Sequence, residues 1–159
     1  MEKLAHVRID DRLIHGQIVV SWIDYLGCNE IVIADNKAVK DEFSKSLLQM
    51  ACPPAVDLHI LSVDDAAEYL INSQNRAKTL VIVRDIDNAH ALLDHEGVGI
   101  DEINVGNVSS GKGRTKYSKS VWLNEDEVAK FKDLASKGVH LEVRVVPSEG
   151  ATDLLTMIK

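Results

Sequence analysis

Apolar and polar residues alternate along the chain in a pattern that predicts strands separated by helices. In the first segment Ala5, Val7 and Ile9 alternate with polar residues, which predicts a strand with one apolar face. Thr79–Val83 is a continuous apolar run, as expected for a strand that is covered on both faces. Further strands are predicted at Glu30–Ala34 and at residues 56–61, 102–105, 120–123 and 140–146.

Helical patterns lie between most of these strands. The first has an apolar stripe at residues 18, 19, 22, 23 and 26, begins just after Gly16 and ends at Gly27. Further helices are predicted over about residues 38–51, from Ser62, over about residues 88–95 and from Asn124 to Gly138, with a short helix closing the chain.

Alternating strands and helices indicate an α/β fold: a single-domain, open, mainly parallel sheet of about seven strands, with helices on both faces. No internal repeat or low-complexity stretch interrupts the alternation, so residues 1–159 are expected to form one domain. Ligands of such sheets bind at the carboxyl ends of the strands. The loop after the first strand, Arg84 and the glycine-rich segment after the fifth strand all belong to that edge, where we expect them to converge.

Composition excludes several classes of function. The content of 45% hydrophobic and 27% charged residues is ordinary for a soluble globular protein. A net charge of −7, with no basic stripe, disfavours nucleic-acid binding. The two cysteines, Cys28 and Cys52, lack metal-ligand spacing and indicate a reducing compartment. With neither a signal peptide nor a long apolar run, the protein is expected to be cytoplasmic and to meet a membrane only as a peripheral partner.

The loop between the first strand and the first helix carries the densest candidate chemistry, Arg-Ile-Asp-Asp-Arg-Leu-Ile-His-Gly-Gln at residues 8–17. His15 lies beside a helix N-terminus, which favours anions such as phosphate, and neutral imidazole is a competent nucleophile. Arg12 can stabilise a phosphoryl group. Asp10 would repel phosphate, so we expect it to hold Arg8 or Arg12 or to accept loop N–H groups. Position alone is equally consistent with an ordinary surface histidine beside turn-forming aspartates.

A second candidate is the loop of residues 106–113, Gly-Asn-Val-Ser-Ser-Gly-Lys-Gly. It nearly matches the phosphate-binding pattern G-x-x-x-x-G-K-[ST], but Gly113 replaces the hydroxyl residue and a strand-like run follows instead of a helix. The loop is either a source of phosphate or partner contacts, through Ser109, Ser110 and Lys112, or a flexible connection. Arg84 either faces the site or pairs with a neighbouring aspartate, Asp85 or Asp87.

The segment of residues 6–19, His-Val-Arg-Ile-Asp-Asp-Arg-Leu-Ile-His-Gly-Gln-Ile-Val, resembles the N-terminal signature of the IIB subunits of the mannose/fructose/sorbose family of the bacterial sugar phosphotransferase system. The resemblance extends over the whole chain and includes Ile-Asn-Val-Gly-Asn at residues 103–107. It implies a largely parallel α/β fold and a phosphohistidine at His15, on Nδ1. Phosphate would arrive from a IIA protein or domain and leave to a sugar held by the membrane subunits IIC and IID. Arg12 and Asp10 match the family's arginine and leading aspartate.

From the resemblance we expect a free-standing subunit that acts as a histidine phosphotransferase, with His15, Arg12 and Asp10 as catalytic residues. It implies no metal or cofactor. The further candidates for phosphate or partner contact are Arg8, Asp11, Gly16, Gln17, Arg84, Ser109, Ser110 and Lys112. Residues 106–119 and 120–123 resemble N-acetylgalactosamine members more than mannose members. The alternatives are a nucleotide- or anion-binding α/β module that uses the 106–113 loop, and a regulatory interaction protein without transfer activity.

Overall fold

The computed structural model describes residues 4–158 and shows the predicted alternation of strands and helices. The strands are β1 (His6–Asp10), β2 (Glu30–Ala34), β3 (Asp57–Leu61), β4 (Thr79–Val83), β5 (Glu102–Asn107), β6 (Thr115–Ser118), β7 (Val121–Leu123), β8 (His140–Val143) and β9 (Thr152–Asp153). The helices are α1 (Gly16–Leu26), α2 (Glu42–Ala51), α3 (Val63–Asn72), α4 (Ile86–Leu93) and α5 (Glu125–Ser136).

Seven strands form one open sheet in the order β3-β2-β4-β1-β5-β8-β9. The first six are parallel and only β9 is antiparallel, which confirms the predicted mainly parallel sheet. Its membership differs from the prediction, because the strand expected at residues 120–123 pairs antiparallel with β6 in a separate hairpin. Only two residues connect β6 to β7, and so short a connection permits only antiparallel pairing.

Helices cover both faces of the sheet, as predicted. α3, α4 and α5 pack on one face around Leu70, Leu92 and Phe131. α1 and α2 pack on the other face, against β2, β3 and β4. The second core also contains Leu13 and Ile14, so the loop between β1 and α1 is held from beneath by two buried side chains.

Several boundaries differ from the sequence prediction, and polar capping side chains explain two of the differences. The helix expected from about residue 38 is α2 and begins only at Glu42, because the Asp41 carboxylate caps it there. Residues Ala38–Lys40 form a separate 3-10 turn before it. α4 begins two residues early because Asp85 accepts a hydrogen bond from the Asn88 amide. β8 ends at Val143 and not at residue 146, and the expected C-terminal helix is only the 3-10 turn Leu154–Thr156.

Candidate functional site

The three candidate loops meet at one edge of the sheet. β1 lies between β4 and β5, and all three are parallel, so their carboxyl ends are neighbours. The His15 loop follows β1, Arg84 follows β4 and the glycine-rich segment follows β5. The predicted convergence of these loops is confirmed.

Asp10 holds both arginines of the β1–α1 loop. Its Oδ1 accepts hydrogen bonds from the Arg12 backbone amide and from Arg12 Nε, each at 3.0 Å. Its Oδ2 accepts from Arg12 Nη2 at 3.0 Å and from Arg8 Nη2 at 3.2 Å. The side-chain hydrogen bonds that Arg12 donates to Asp10 raise the pKa of Arg12. Asp10 is 1% exposed and the Arg12 side chain 33%, so a buried carboxylate fixes a cation at the surface.

Arg8 lies in the interior and not at the surface, which corrects the expectation that it contacts a phosphoryl group or a partner directly. Its side chain is 2% exposed, donates to the Asn104 side chain and to the Arg144 carbonyl oxygen, and lies 5.4 Å from the Trp22 ring centroid. Burial lowers the pKa of Arg8. A Cβ at Gly106 would overlap the Arg8 guanidinium. Arg8 therefore reaches the site only through Asp10.

Asp11 connects the loop after β1 to the segment after β5. Its Oδ1 accepts a hydrogen bond from Asn107 Nδ2 at 2.8 Å, and its Oδ2 accepts from the Ser109 backbone amide at 2.7 Å. The Asp11 amide in turn donates to the Asn107 carbonyl oxygen at 3.0 Å. Both carboxylate oxygens accept hydrogen bonds within the protein, so Asp11 connects the β1–α1 loop to the segment after β5.

The His15 imidazole is exposed at the start of α1. His15 occupies the N-cap position, and its carbonyl oxygen accepts the Ile18 amide at 3.0 Å while its ring makes no capping hydrogen bond. Within residues 4–158 we find no hydrogen bond or ion pair of the ring. Leu13, two residues earlier, has φ of 60°, a left-handed conformation that a leucine adopts only when its surroundings impose it. Gly16 and Gln17 follow, both exposed.

Arg84 pairs with Asp35, and not with Asp85 or Asp87 as one of the two alternatives from the sequence had it. Arg84 Nε and Nη2 donate to Asp35 Oδ2 at 3.2 and 2.6 Å, and this bonding raises the pKa of Arg84. Asp85 instead caps α4, and Asp87 binds Lys130. Arg84 faces a cleft of about 340 Å³, which we call the loop–α2 cleft. Its lining comprises Arg12, Leu13, Ile14, Ser44, Leu47, Leu48, Ala51 and Arg84.

The 106–113 loop is fastened at both ends, which argues against a merely flexible connection. Arg114 makes a two-pronged contact with Glu127, at 3.1 and 2.9 Å, and donates to the Ser109 carbonyl oxygen at 2.8 Å. The chain then enters β6 and not a helix, and the Ser109 amide is already used by Asp11. Both features disfavour the nucleotide-site alternative. Ser110 and Lys112 are exposed, and no side-chain partner for either is found in the described part of the chain.

Three residues that shape the site were not predicted from the sequence in these roles. Asn104 and Gly106 hold Arg8, and Asp35 holds Arg84. The signal for the first two was the Ile-Asn-Val-Gly-Asn segment, which carries part of the resemblance but does not show what its residues contact. For Asp35 the signal was its place directly after β2, at the same carboxyl edge as His15.

The described residues contain neither a cluster of metal-ligating side chains nor a membrane-spanning helix. Across residues 4–158 no three His, Cys, Asp or Glu side chains are grouped as a metal site would need. None of the helices in this range combines the length and apolar character of a membrane span.

Comparison with known proteins identifies relatives over nearly the whole chain. The model of a family described as the PTS system sorbose subfamily IIB component matches residues 4–159. The sorbose-specific EIIB component of Lacticaseibacillus casei is 32% identical over 153 residues, which cover 95% of this chain and 92% of that protein. The N-acetylgalactosamine-specific phosphotransferase enzyme IIB component 2 of Escherichia coli K12 is 28% identical over 158 residues, with coverage of 99% and 100%. The crystal structure of the IIBSor domain of the Klebsiella pneumoniae sorbose permease has a TM-score of 0.91 at 28% identity, with coverage of 99% and 96%.

Proposed function

Because the chain belongs to the sorbose subfamily of IIB components of the sugar phosphotransferase system, we propose that it is a phosphocarrier whose acceptor is His15. It takes a phosphoryl group from a phosphorylated IIA protein and passes the group to a sugar held by the membrane subunits IIC and IID. Membership of the family carries the general phosphotransferase role. The acceptor residue, the partners and the sugar are the proposal.

One observation carries the choice of acceptor: an exposed imidazole at a helix N-terminus, three residues after an arginine that a buried aspartate immobilises. The Arg12 guanidinium needs little reorganisation when a doubly charged phosphoryl group arrives, because Asp10 already accepts hydrogen bonds from two of its nitrogen atoms. The amides that begin α1, at Gly16 and Gln17, add a favourable local potential.

The chemistry consists of two displacements at phosphorus. First, a ring nitrogen of His15 attacks the phosphorus of the donor phosphohistidine; the new P–N bond forms, the donor's P–N bond breaks and the donor imidazole leaves. Second, a sugar hydroxyl attacks phospho-His15; the P–O bond forms, the P–N bond breaks, and the hydroxyl proton passes to the imidazole, which leaves as neutral His15. Arg12 balances the phosphoryl charge in both steps, and positioning and electrostatics supply the catalysis.

Cysteine thiolates can also carry phosphate, but both cysteines are poorly suited to this role. Burial raises the pKa of Cys28 to about 11, so the thiolate nucleophile is scarce at neutral pH. Burial also raises the pKa of Cys52. Cys28 precedes β2 and Cys52 follows α2, which places both at the amino edge of the sheet, opposite the His15 loop. These facts favour His15 over either cysteine.

The remaining parts of the proposal follow from the family. We propose that residues 1–159 form one IIB domain, which the match over residues 4–159 supports. We also propose a cytoplasmic location at the inner face of the membrane, reached through IIC and IID. N-acetylgalactosamine is the sugar to test first, beside mannose, fructose and sorbose. The relatives named for sorbose and for N-acetylgalactosamine are similarly distant, which supports sugar selection by the membrane subunits.

Labelling with phosphoenolpyruvate and the upstream carriers tests the acceptor. The wild-type protein should gain one phosphoryl group that is labile in acid and stable in base, and His15→Ala should gain none. His140→Ala is the matched control, because His140 is also exposed but starts β8 at the opposite edge of the sheet. Full labelling of His15→Ala, or its loss in Cys28→Ser or Cys52→Ser with His15 intact, would contradict the assignment.

A further inference from the structure

The outer face of α2 exposes an apolar stripe beside the proposed site. Phe43 is 71% exposed, Leu47 50% and Met50 82%. Their spacing of four and three residues places them on one face of the helix, which we call the α2 stripe. Large apolar side chains grouped on one exposed face are typical of protein contact surfaces.

The α2 stripe is continuous with the His15 loop. Leu47 belongs both to the stripe and to the lining of the loop–α2 cleft. Across that cleft lie Arg12 and Arg84, with Leu13 from the loop itself. A protein that covers His15 and reaches towards α2 therefore meets two arginines first and the three apolar side chains next.

The margin of this surface is basic, although the whole chain has a net charge of −7. Lys37 and Lys40 are exposed between β2 and α2, and within residues 4–158 neither side chain has a hydrogen-bond or ion-pair partner. The acidic neighbours are already engaged, since Asp41 caps α2 and Glu42 binds Lys45. The two lysines thus carry positive charge that no carboxylate of the described residues pairs with, just before the start of α2.

We propose that the α2 stripe, with Lys37 and Lys40 at its margin, is the docking surface for the phosphorylated IIA protein. This inference rests on the phosphocarrier function proposed above. The occupant is a protein surface that is apolar where it meets the stripe and acidic where it meets the lysines, with its phosphohistidine at the arginine side.

Charge favours the phosphoryl donor over other occupants. The donor brings a doubly negative phosphoryl group to a basic surface on which His15 does not yet carry phosphate. At the later delivery step that group is already on His15 and offsets the arginines, while the incoming sugar is neutral. A second copy of the chain, related by a two-fold axis, would place the same basic margin against itself and cover His15.

Steady-state transfer from phosphorylated IIA to the variants Phe43→Ser and Met50→Ser tests the proposal. We expect kcat/KM for IIA to fall about tenfold for each, with kcat at saturating IIA unchanged, because docking and not chemistry is altered. Lys37→Gln combined with Lys40→Gln should lower kcat/KM and weaken its dependence on salt. Ile71→Ser, at an exposed apolar residue of α3 on the opposite face of the sheet, is the matched control and should behave as wild type.

Phosphoramidate, a small phosphoryl donor that needs no docking, separates this proposal from the function beneath it. His15 of the stripe variants should accept phosphate from phosphoramidate at the wild-type rate. If no donor labels His15, the phosphocarrier function itself fails. If transfer from IIA to the stripe variants is normal, docking on α2 is overturned, and loss of sugar phosphate formation alone would reassign the stripe to the membrane subunits. Dissociation of a wild-type dimer by these variants would reassign it to a second copy.

Discussion

At the scale of single residues, the site depends on a carboxylate that has almost no exposed surface. Asp10 accepts four hydrogen bonds from two arginines, one of which is buried and one of which reaches the surface. The buried partner, Arg8, donates a hydrogen bond to the Asn104 side chain. Its guanidinium occupies space that is free only because residue 106 is a glycine. The orientation of Arg12 thus depends on residues that no phosphoryl group touches.

Gly106→Ala should therefore damage both the fold and the transfer step. The added methyl group overlaps the Arg8 guanidinium, so overpacking should lower the free energy of unfolding by about 1–3 kcal/mol. Displaced Arg8 also frees Asp10, and the transfer rate to His15 should fall even where the variant is fully folded. Urea unfolding and transfer kinetics on the same sample measure the two effects. Gly150→Ala, where the added Cβ meets open space, is the control; equal behaviour of the two variants would refute the role of Gly106.

At the scale of elements, the β1–α1 loop is held from three sides. Leu13 and Ile14 are buried in the core beneath it, Asp11 ties it to the segment after β5, and His15 begins α1. α2 forms the neighbouring wall of the cleft, and its first turn depends on the Asp41 cap. The position of the cleft wall that α2 forms therefore depends on the Asp41 cap.

The Asp41 cap predicts an acid-dependent loss of stability that belongs to α2. Hydrogen bonds from the Ser44 hydroxyl and amide lower the pKa of Asp41 in the folded state. A lowered folded pKa stabilises the protein above the unfolded pKa of about 4, and this contribution is lost as the pH falls through the folded value. Asp41→Asn keeps a capping oxygen without the titration, so its stability relative to wild type should rise as the pH falls below about 4. Unfolding titrations by circular dichroism measure this difference, and a pH-independent difference would contradict the role of the cap.

At the scale of the whole molecule, the two edges of the sheet carry different chemistry. The carboxyl edge holds His15, the exposed Arg12, the half-buried Arg84 and the fastened 106–113 loop. Toward the amino edge, a polar cluster connects α3 to the sheet: Glu30 accepts hydrogen bonds from Tyr69 and from Thr79, the latter at 2.6 Å, and lies 3.3 Å from His59 Nε2. We assign function to the first edge and stability to the second.

Global stability should therefore depend on Tyr69 at alkaline pH. Burial and the hydrogen bond to Glu30 raise the pKa of Tyr69 to about 12, above its unfolded value of about 10. A raised folded pKa means that the stabilisation is complete below about pH 10 and is lost as the pH rises towards 12. Tyr69→Phe should cost about 1 kcal/mol near neutral pH, and its difference from wild type should shrink between pH 10 and 12. Urea unfolding across this range measures it; a difference that stays constant would disprove the link to Tyr69.

The order of elements was readable from the chain itself. The alternation of residues 5–9, the apolar run Thr79–Val83 and the caps at Ser62 and Asn124 place strands and helices close to where the structure has them. These signals are local, because periodicity and capping act within one or two turns of the chain. For the same reason the loop with His15, Arg12 and Asp10 could be found as one segment of sequence.

Partners across the sheet could not be read in this way. The alternating pattern marks Arg8 as a polar strand residue, and only the pairing of β1 with β5 places it against Asn104 and Gly106. Likewise, only the neighbouring ends of β2 and β4 give Arg84 the carboxylate of Asp35. Residues 120–123 have the sequence pattern of a strand, which does not say which sheet they join. They pair with β6 in a hairpin because only two residues connect β6 to β7. Sequence alone thus determined most of the elements and the candidate segment, while contacts between distant residues decided which charges are buried, which are paired and which stay exposed.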